Sequence, residues 1–129
     1  MHRTVCFSLG ASALFISAAA VAQEDAGRYE LDRLIEGRVA GQPVECVPSF
    51  SNSRITIISR TALVFESAGV VYVNVPENHG QLKDRDAVQT RTFGTRLCRT
   101  DIVTTFEPIT GAYTGNISLQ EFVPYRRAD

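Results

Sequence analysis

The chain has 129 residues, no tryptophan, three cysteines, and 13 basic against 14 acidic side chains for a formal net charge of −1. That near balance leaves no electrostatic footprint for nucleic acid or another extended polyanion. The length bounds the fold to one small domain around one core.

The first 22 residues read as a cleaved export signal. His2 and Arg3 form a short positive start, an apolar run follows from residue 5 to residue 21, and Ala20-Val21-Ala22 supplies the small–x–small pattern of a signal-peptidase site. A membrane span needs about 20 strongly apolar residues, whereas this run is shorter and is softened by Ser8, Gly10, Ser12 and Ser17. Cys6 precedes most of the apolar run, which is the wrong place for a lipid-attachment cysteine. Cleavage between Ala22 and Gln23 leaves about 107 residues, in which twelve basic side chains remain once Arg3 is gone. The expectation is a periplasmic or secreted protein with no membrane span after cleavage.

Loss of Cys6 leaves Cys46 and Cys98 in an oxidising compartment, where they are expected to pair. A bond closing about 50 residues constrains the unfolded chain by about 4 kcal/mol on the chain-entropy account. A redox role is the alternative, but redox dithiols favour C-x-x-C at a helix start. Here Cys46 precedes Val-Pro-Ser and Cys98 precedes Arg-Thr-Asp, so the structural reading is favoured.

Residues 23–43 read as an N-terminal extension. Its first part, 23–27, is small and polar and is expected to fray. Leu31, Leu34 and Ile35 stand at i, i+3 and i+4, which predicts a short amphipathic helix over 28–36, stopped by Gly37. The helix is expected to pack on the domain; a partner-binding helix is the alternative. After Gly41-Gln42-Pro43 the texture becomes β-rich, and residues 44–125 form the predicted β domain. Strands are predicted over 54–59, 62–66 and 70–75, the last two forming a hairpin around Ser67-Ala68-Gly69. Pro76, lacking an N–H, ends that strand. Residues 77–86 read as a polar surface loop and 87–93 as a weaker strand. Gly94-Thr95 marks a turn, 97–106 a strand bent near Cys98, and 108–115 a glycine-containing loop. A closing strand over 117–123 places Ile117 and Leu119 on one face, and 126–129 is a polar tail. The predicted fold is mainly β: a small antiparallel sheet curled into a barrel or sandwich, with one short N-terminal helix and one disulfide.

Cys46-Val47-Pro48, Ile57-Ile58 and Ala62-Leu63-Val64-Phe65 stand in an ordered series. It continues through Gly69-Val70-Val71-Tyr72-Val73-Asn74, Leu97-Cys98-Arg99-Thr100-Asp101 and Leu119-Gln120-Glu121-Phe122-Val123-Pro124. The series resembles a family of small exported proteobacterial proteins of unknown function, β-rich with paired cysteines. The resemblance covers residues 46–124 and implies an exported β fold with no catalytic residues to carry over. Members commonly carry a second cysteine pair. The corresponding positions here are His79 and Ile117, so both cysteines are missing together and Cys46 is left with Cys98. Thr100 and Gln120 stand where members tend to have glycine.

The chemistry-bearing residues are few. His79 is the one histidine after residue 22, in a loop between Asn78 and Gly80, without the nucleophile and orienting group that a catalytic base requires. There is no G-x-S-x-G, phosphate loop or dinucleotide fingerprint. His79 lacks a ligand-spaced partner for a metal. Glu77, Asp84 and Asp86 would suit calcium, but Lys83 and Arg85 lie between them, and a solvated loop is expected. No metal or cofactor is implied. Glu66, Asp101, Glu107 and Glu121 are the carboxylates available to a glycosidase-like pair. Arg91, Arg96 and Arg99, with Arg54 and Arg60, would form an anion-binding strip if adjacent strands aligned them; exposed sheet arginines are the alternative. Asn116-Ile117-Ser118 matches a glycosylation sequon, which matters only in a eukaryotic secretory host.

The functional expectation is an exported, monomeric, non-catalytic β domain that binds a partner protein, an envelope component or a small ligand. The alternatives are a minimal hydrolase-like enzyme with a carboxylate/arginine site, an inhibitor of a wall-degrading enzyme, and a purely structural envelope protein. The enzyme alternative predicts a concave pocket at Asp101, Glu107 or Glu121 holding a carboxyl with a raised pKa.

Overall fold

Phe65 and Phe122 meet edge to face, ring centroids 5.6 Å apart and planes at 73°, and both are fully buried. Around this pair the described residues build one helix and ten short strands. The computed structural model describes residue 10 and residues 18–48, 53–92 and 94–128. In chain order the elements are α1 (Ala18–Leu34), β1 (Arg38–Ala40), β2 (Cys46–Val47), β3 (Arg54–Ile58), β4 (Ala62–Ser67), β5 (Val70–Asn74), a 3-10 turn (His79–Gln81), β6 (Ala87–Arg91), β7 (Leu97–Cys98), β8 (Ile102–Phe106), β9 (Tyr113–Ile117) and β10 (Val123–Arg127).

The strands form three antiparallel sheets: five strands in the order β1-β10-β5-β4-β3, three in the order β6-β8-β9, and the pair β2-β7. β4 and β5 are buried on both faces, which is why ALVF and VVYV read as nearly unbroken apolar runs. One face sends Leu63, Phe65 and Tyr72 into the larger core, with Leu97, Val103, Ile117, Leu119 and Phe122. The alternate residues Val64, Val71 and Val73 point the other way, where Leu31, Leu34 and Ile35 cover them. Each fully buried Leu or Phe stabilises the fold by roughly 1.5–3 kcal/mol relative to exposure.

The β4–β5 hairpin forms as predicted, with Ser67 opposite Val70. Ala68 and Gly69 take φ 52° and 78°, the left-handed pair that gives a two-residue turn the twist of its flanking strands. Cys46 and Cys98 face each other across β2–β7 and are bonded, S–S 2.06 Å.

Several expectations change. The helix runs from Ala18 to Leu34 rather than over 28–36, so residues 23–27 are helical and not frayed. Alanine, glutamine and glutamate are strong helix formers without periodicity, and the apolar pattern alone underestimates such a segment. The Ala22–Gln23 bond lies within α1. The apolar run read as an export signal, Cys6 included, lies outside the described residues except for residue 10 and residues 18–21. Residues 38–40, assigned to the extension, form an edge strand whose partner is β10, and β10 takes up Arg126 and Arg127 from the supposed polar tail. The strand over 97–106 is interrupted at 99–101, where the Cys98 N–H donates to Asp101 Oδ2 (2.7 Å) and the Asp101 N–H donates to Cys98 O (2.9 Å). Residues 113–117 form β9 instead of belonging to a loop, and 118–121 cross between sheets outside any strand. The end of the weaker strand at residue 93 and the segment 49–52 are outside the described residues. Among the described residues the five-stranded sheet keeps two edges, β1 and β3, and does not close into a barrel.

Candidate binding surfaces

The three arginines singled out from the sequence reach different fates. Arg91 ends β6 and is exposed; Arg96 is exposed just before β7. Arg99 follows the disulfide and lies between two carboxylates, with Nε 3.6 Å from Glu45 Oε2 and Nη1 3.6 Å from Glu121 Oε1. Its charge is already met, and the triad ties the chain before β2 to the chain before β10. Arg54 pairs with Glu66, its cross-strand neighbour, at 3.9 Å. Arg60 sits at the far end of β3, in the turn to β4.

The carboxylates considered for catalysis are likewise occupied. Asp101 closes the turn after β7. Glu66 and Glu121 pair with Arg54 and Arg99. Glu107 organises the β8–β9 loop. Its Oε1 accepts from the Ile109 N–H (3.0 Å), and its Oε2 accepts from the Thr110 N–H (2.6 Å) and hydroxyl (2.7 Å). These bonds, the Thr110 hydroxyl first, hold the Glu107 pKa below its ordinary 4.5, with the Arg85 charge adding in the same direction. That is opposite to the raised pKa of a general acid. Asp86 is buried and accepts from the Thr114 hydroxyl at 2.9 Å. Among the described residues no three His, Cys, Asp or Glu side chains gather as a metal site. Among the same residues no helix is long and apolar enough to cross a membrane.

His79 is held through its Nδ1–H, which donates to Arg60 O at 2.8 Å. Its role is to fasten the 3-10 turn to the β3–β4 turn.

The loop after β8 is the most prominent apolar feature. Glu107 N–H donates to Ala112 O (2.8 Å), Gly111 N–H donates to Glu107 O (2.8 Å), and Gly111 takes φ 74°. With the Glu107 carboxylate bonded to its turn, the loop presents Ile109 at 92% exposure, and Tyr113 at the start of β9 is 64% exposed. Sequence reading registered the glycine and missed the staple. Glutamate is not a recognised turn-capping residue in the way aspartate and asparagine are, so the sequence carried no signal for it.

The chain matches no protein-family model, no curated protein and no solved structure.

Proposed function

We propose that this is an exported, non-catalytic binding domain that acts as a monomer in the periplasm and engages a protein partner through the 107–113 loop. The observation that carries this reading is Ile109: a branched apolar side chain almost wholly in solvent, at the tip of a loop fixed by three hydrogen bonds to one carboxylate. A pre-ordered loop loses little conformational entropy on docking, so its apolar tip contributes most of its burial energy to affinity. The partner it fits is a protein with a pocket for an aliphatic side chain.

Export is supported by the charged start, apolar run and Ala20-Val21-Ala22, and by a disulfide that an oxidising compartment maintains. The resemblance to small exported β-rich proteins points the same way. Binding is favoured over catalysis because Asp101, Glu107 and Glu121 are each engaged in structural contacts. We read the five- and three-stranded sheets as the two halves of a sandwich, because both feed the core around Phe65 and Phe122. A protruding stapled loop also suits insertion into an enzyme cleft, which favours inhibition of a wall-degrading enzyme as the narrower version of the same reading.

Native mass spectrometry of protein recovered from the host envelope tests the proposal. Wild type is expected as an oxidised chain beginning at Gln23, with a protein partner retained, and I109D as the same chain without it. A species still carrying residues 1–22, or equal retention of the partner by I109D, would overturn it.

A further inference from the structure

A second feature lies where α1 passes over the β3–β4 turn. A cleft of about 500 Å³ opens there, walled by Gly27, Ser59, Arg60, Gly80, Lys83 and Arg85. Lys83 is the chain's one lysine. None of Arg60, Lys83 and Arg85 is in an ion pair among the described residues, in contrast to Arg54 and Arg99. Two carboxylates, Glu30 and Asp84, also line the cleft. A neighbouring hollow of about 390 Å³ shares Arg60 and adds Arg28 and His79.

The walls are fastened together. Arg60 N–H donates to Leu82 O (3.0 Å), His79 Nδ1–H donates to Arg60 O (2.8 Å), and Asp84 N–H donates to Ser59 Oγ (2.9 Å). The turn and the 79–84 segment therefore form one rigid unit, and the Cα–Cβ direction of Arg60 is fixed by bonds on both sides of it. Arg60 takes φ 58°, the left-handed conformation that glycine and asparagine adopt most readily. An arginine held there costs stability that glycine would not, as does Ala68, the other left-handed non-glycine residue among the described residues. Gly27 permits the helix to come down on this turn: a Cβ there would run into Thr61 Oγ1 and lie 3.1 Å from Ser59 O.

We propose that this cleft is a binding site for a phosphate-bearing anion, with Arg60 and Arg85 supplying forked donors and Lys83 a point charge. Arginine forks match phosphate oxygens two at a time, and a lysine ammonium completes the charge. Glu30 and Asp84 set the selectivity. A monovalent anion gains little against two carboxylates, whereas a ligand with several phosphate oxygens spans the three cations together.

The test is calorimetric titration of inorganic pyrophosphate into the oxidised protein, paired with thermal melts and with co-sedimentation on phosphatidylglycerol vesicles. Wild type is expected to bind pyrophosphate once per chain, and acetate not at all. R60G and K83Q are expected to weaken binding about tenfold or more, the loss typical of a hydrogen bond to a charged group. R60G separates binding from folding, because glycine relieves the left-handed residue: its melting temperature rises while its affinity falls. R91Q and I109D are expected to bind as wild type does, which keeps this site distinct from the loop. Pyrophosphate binding without vesicle binding identifies a soluble ligand; vesicle binding lost in R60G and K83Q identifies a lipid headgroup. Absence of both, or R60G and K83Q binding like wild type, would overturn the proposal.

Discussion

The side chain of Asn74 pairs with the backbone of Gln120 as a neighbouring strand would. Its Nδ2 donates to Gln120 O at 2.6 Å and its Oδ1 accepts from Gln120 N–H at 3.0 Å. Asn74 is fully buried at the end of β5, and Gln120 lies in the non-strand stretch that leads into β10. Asn78 repeats the device four residues on, donating to Asn116 O (2.7 Å) and accepting from Ser118 N–H (2.9 Å), while Glu77 N–H donates to Ser118 O (3.0 Å). Residues 118–120, past the end of β9, thus obtain from two side-chain amides and the Glu77 N–H the hydrogen bonds that a strand partner would otherwise give them.

Replacing Asn74 by alanine leaves the Gln120 N–H and C=O without these bonds inside the fold. The expected cost is about 2–4 kcal/mol, two lost hydrogen bonds with their desolvation penalties. Urea titration checks it: the midpoint should fall with the slope unchanged. A loss under about 0.5 kcal/mol, the usual size of a surface substitution, would contradict the account of residues 118–120.

The central strands were legible in the sequence and the outer ones were not, for physical reasons. Ile57-Ile58, Ala62–Phe65 and Val70–Val73 are buried by short-range pairing, so β-branched runs and a glycine turn announce them. β1 and β10 meet across more than eighty residues, and neither has an apolar pattern of its own. Pro124 near the start of β10 argues against a strand, yet here it costs no bond to β5. It lies opposite Tyr72 of β5, while its C=O points the other way, to Gly41 N–H at 2.7 Å. A residue's N and C=O share a side in an antiparallel strand. The missing N–H therefore faces Gly41, just past the end of β1 at Ala40, and the pair keeps one bond of two. Thr100 and Gln120, where the resemblance suggested glycine, are both outside the positive-φ set, so ordinary residues fit there. Of the candidate site residues, the cysteine pairing followed from counting. The partners of Arg99 did not, because Glu45 and Glu121 come to it through β2–β7 and the Val44–Phe122 bridge.

Reduction of Cys46–Cys98 should lower stability by about 4 kcal/mol on the chain-entropy account for the 52-residue separation. Denaturation of oxidised and reduced protein at one urea series measures this. The C46A/C98A variant should match the reduced wild type, since neither form has the cross-link.

Protonation of Glu107 should loosen the 107–113 loop. Its pKa is lowered in the folded chain, so the stabilisation is fully present above its ordinary 4.5 and is lost as pH falls through the lower folded value. Amide exchange at Ile109 and Thr110, corrected for the intrinsic pH dependence, should show falling protection below pH 4.5. In E107A the same amides should be unprotected at every pH. Protection that stays constant through that range in wild type would contradict the staple.

Gly27→Ala drives a Cβ into Thr61 Oγ1 and close to Ser59 O. The expected destabilisation is about 1–3 kcal/mol, the cost of overpacking a fixed contact. Thr61→Ala removes the nearest atom, so the double variant should be more stable than the sum of the single effects requires. Additive single effects would show that α1 does not rest on this turn.

The proposed loop contact is tested most directly by photocrosslinking in the living host, with a benzophenone amino acid at position 109 and, as a control, at position 39. Val39 is also an exposed apolar residue, 59% against 92% for Ile109, but it lies on the edge strand β1. The account predicts one discrete protein adduct from position 109 that E107A diminishes, and none of that mass from position 39. The same adduct from both positions, or none from position 109, would contradict it.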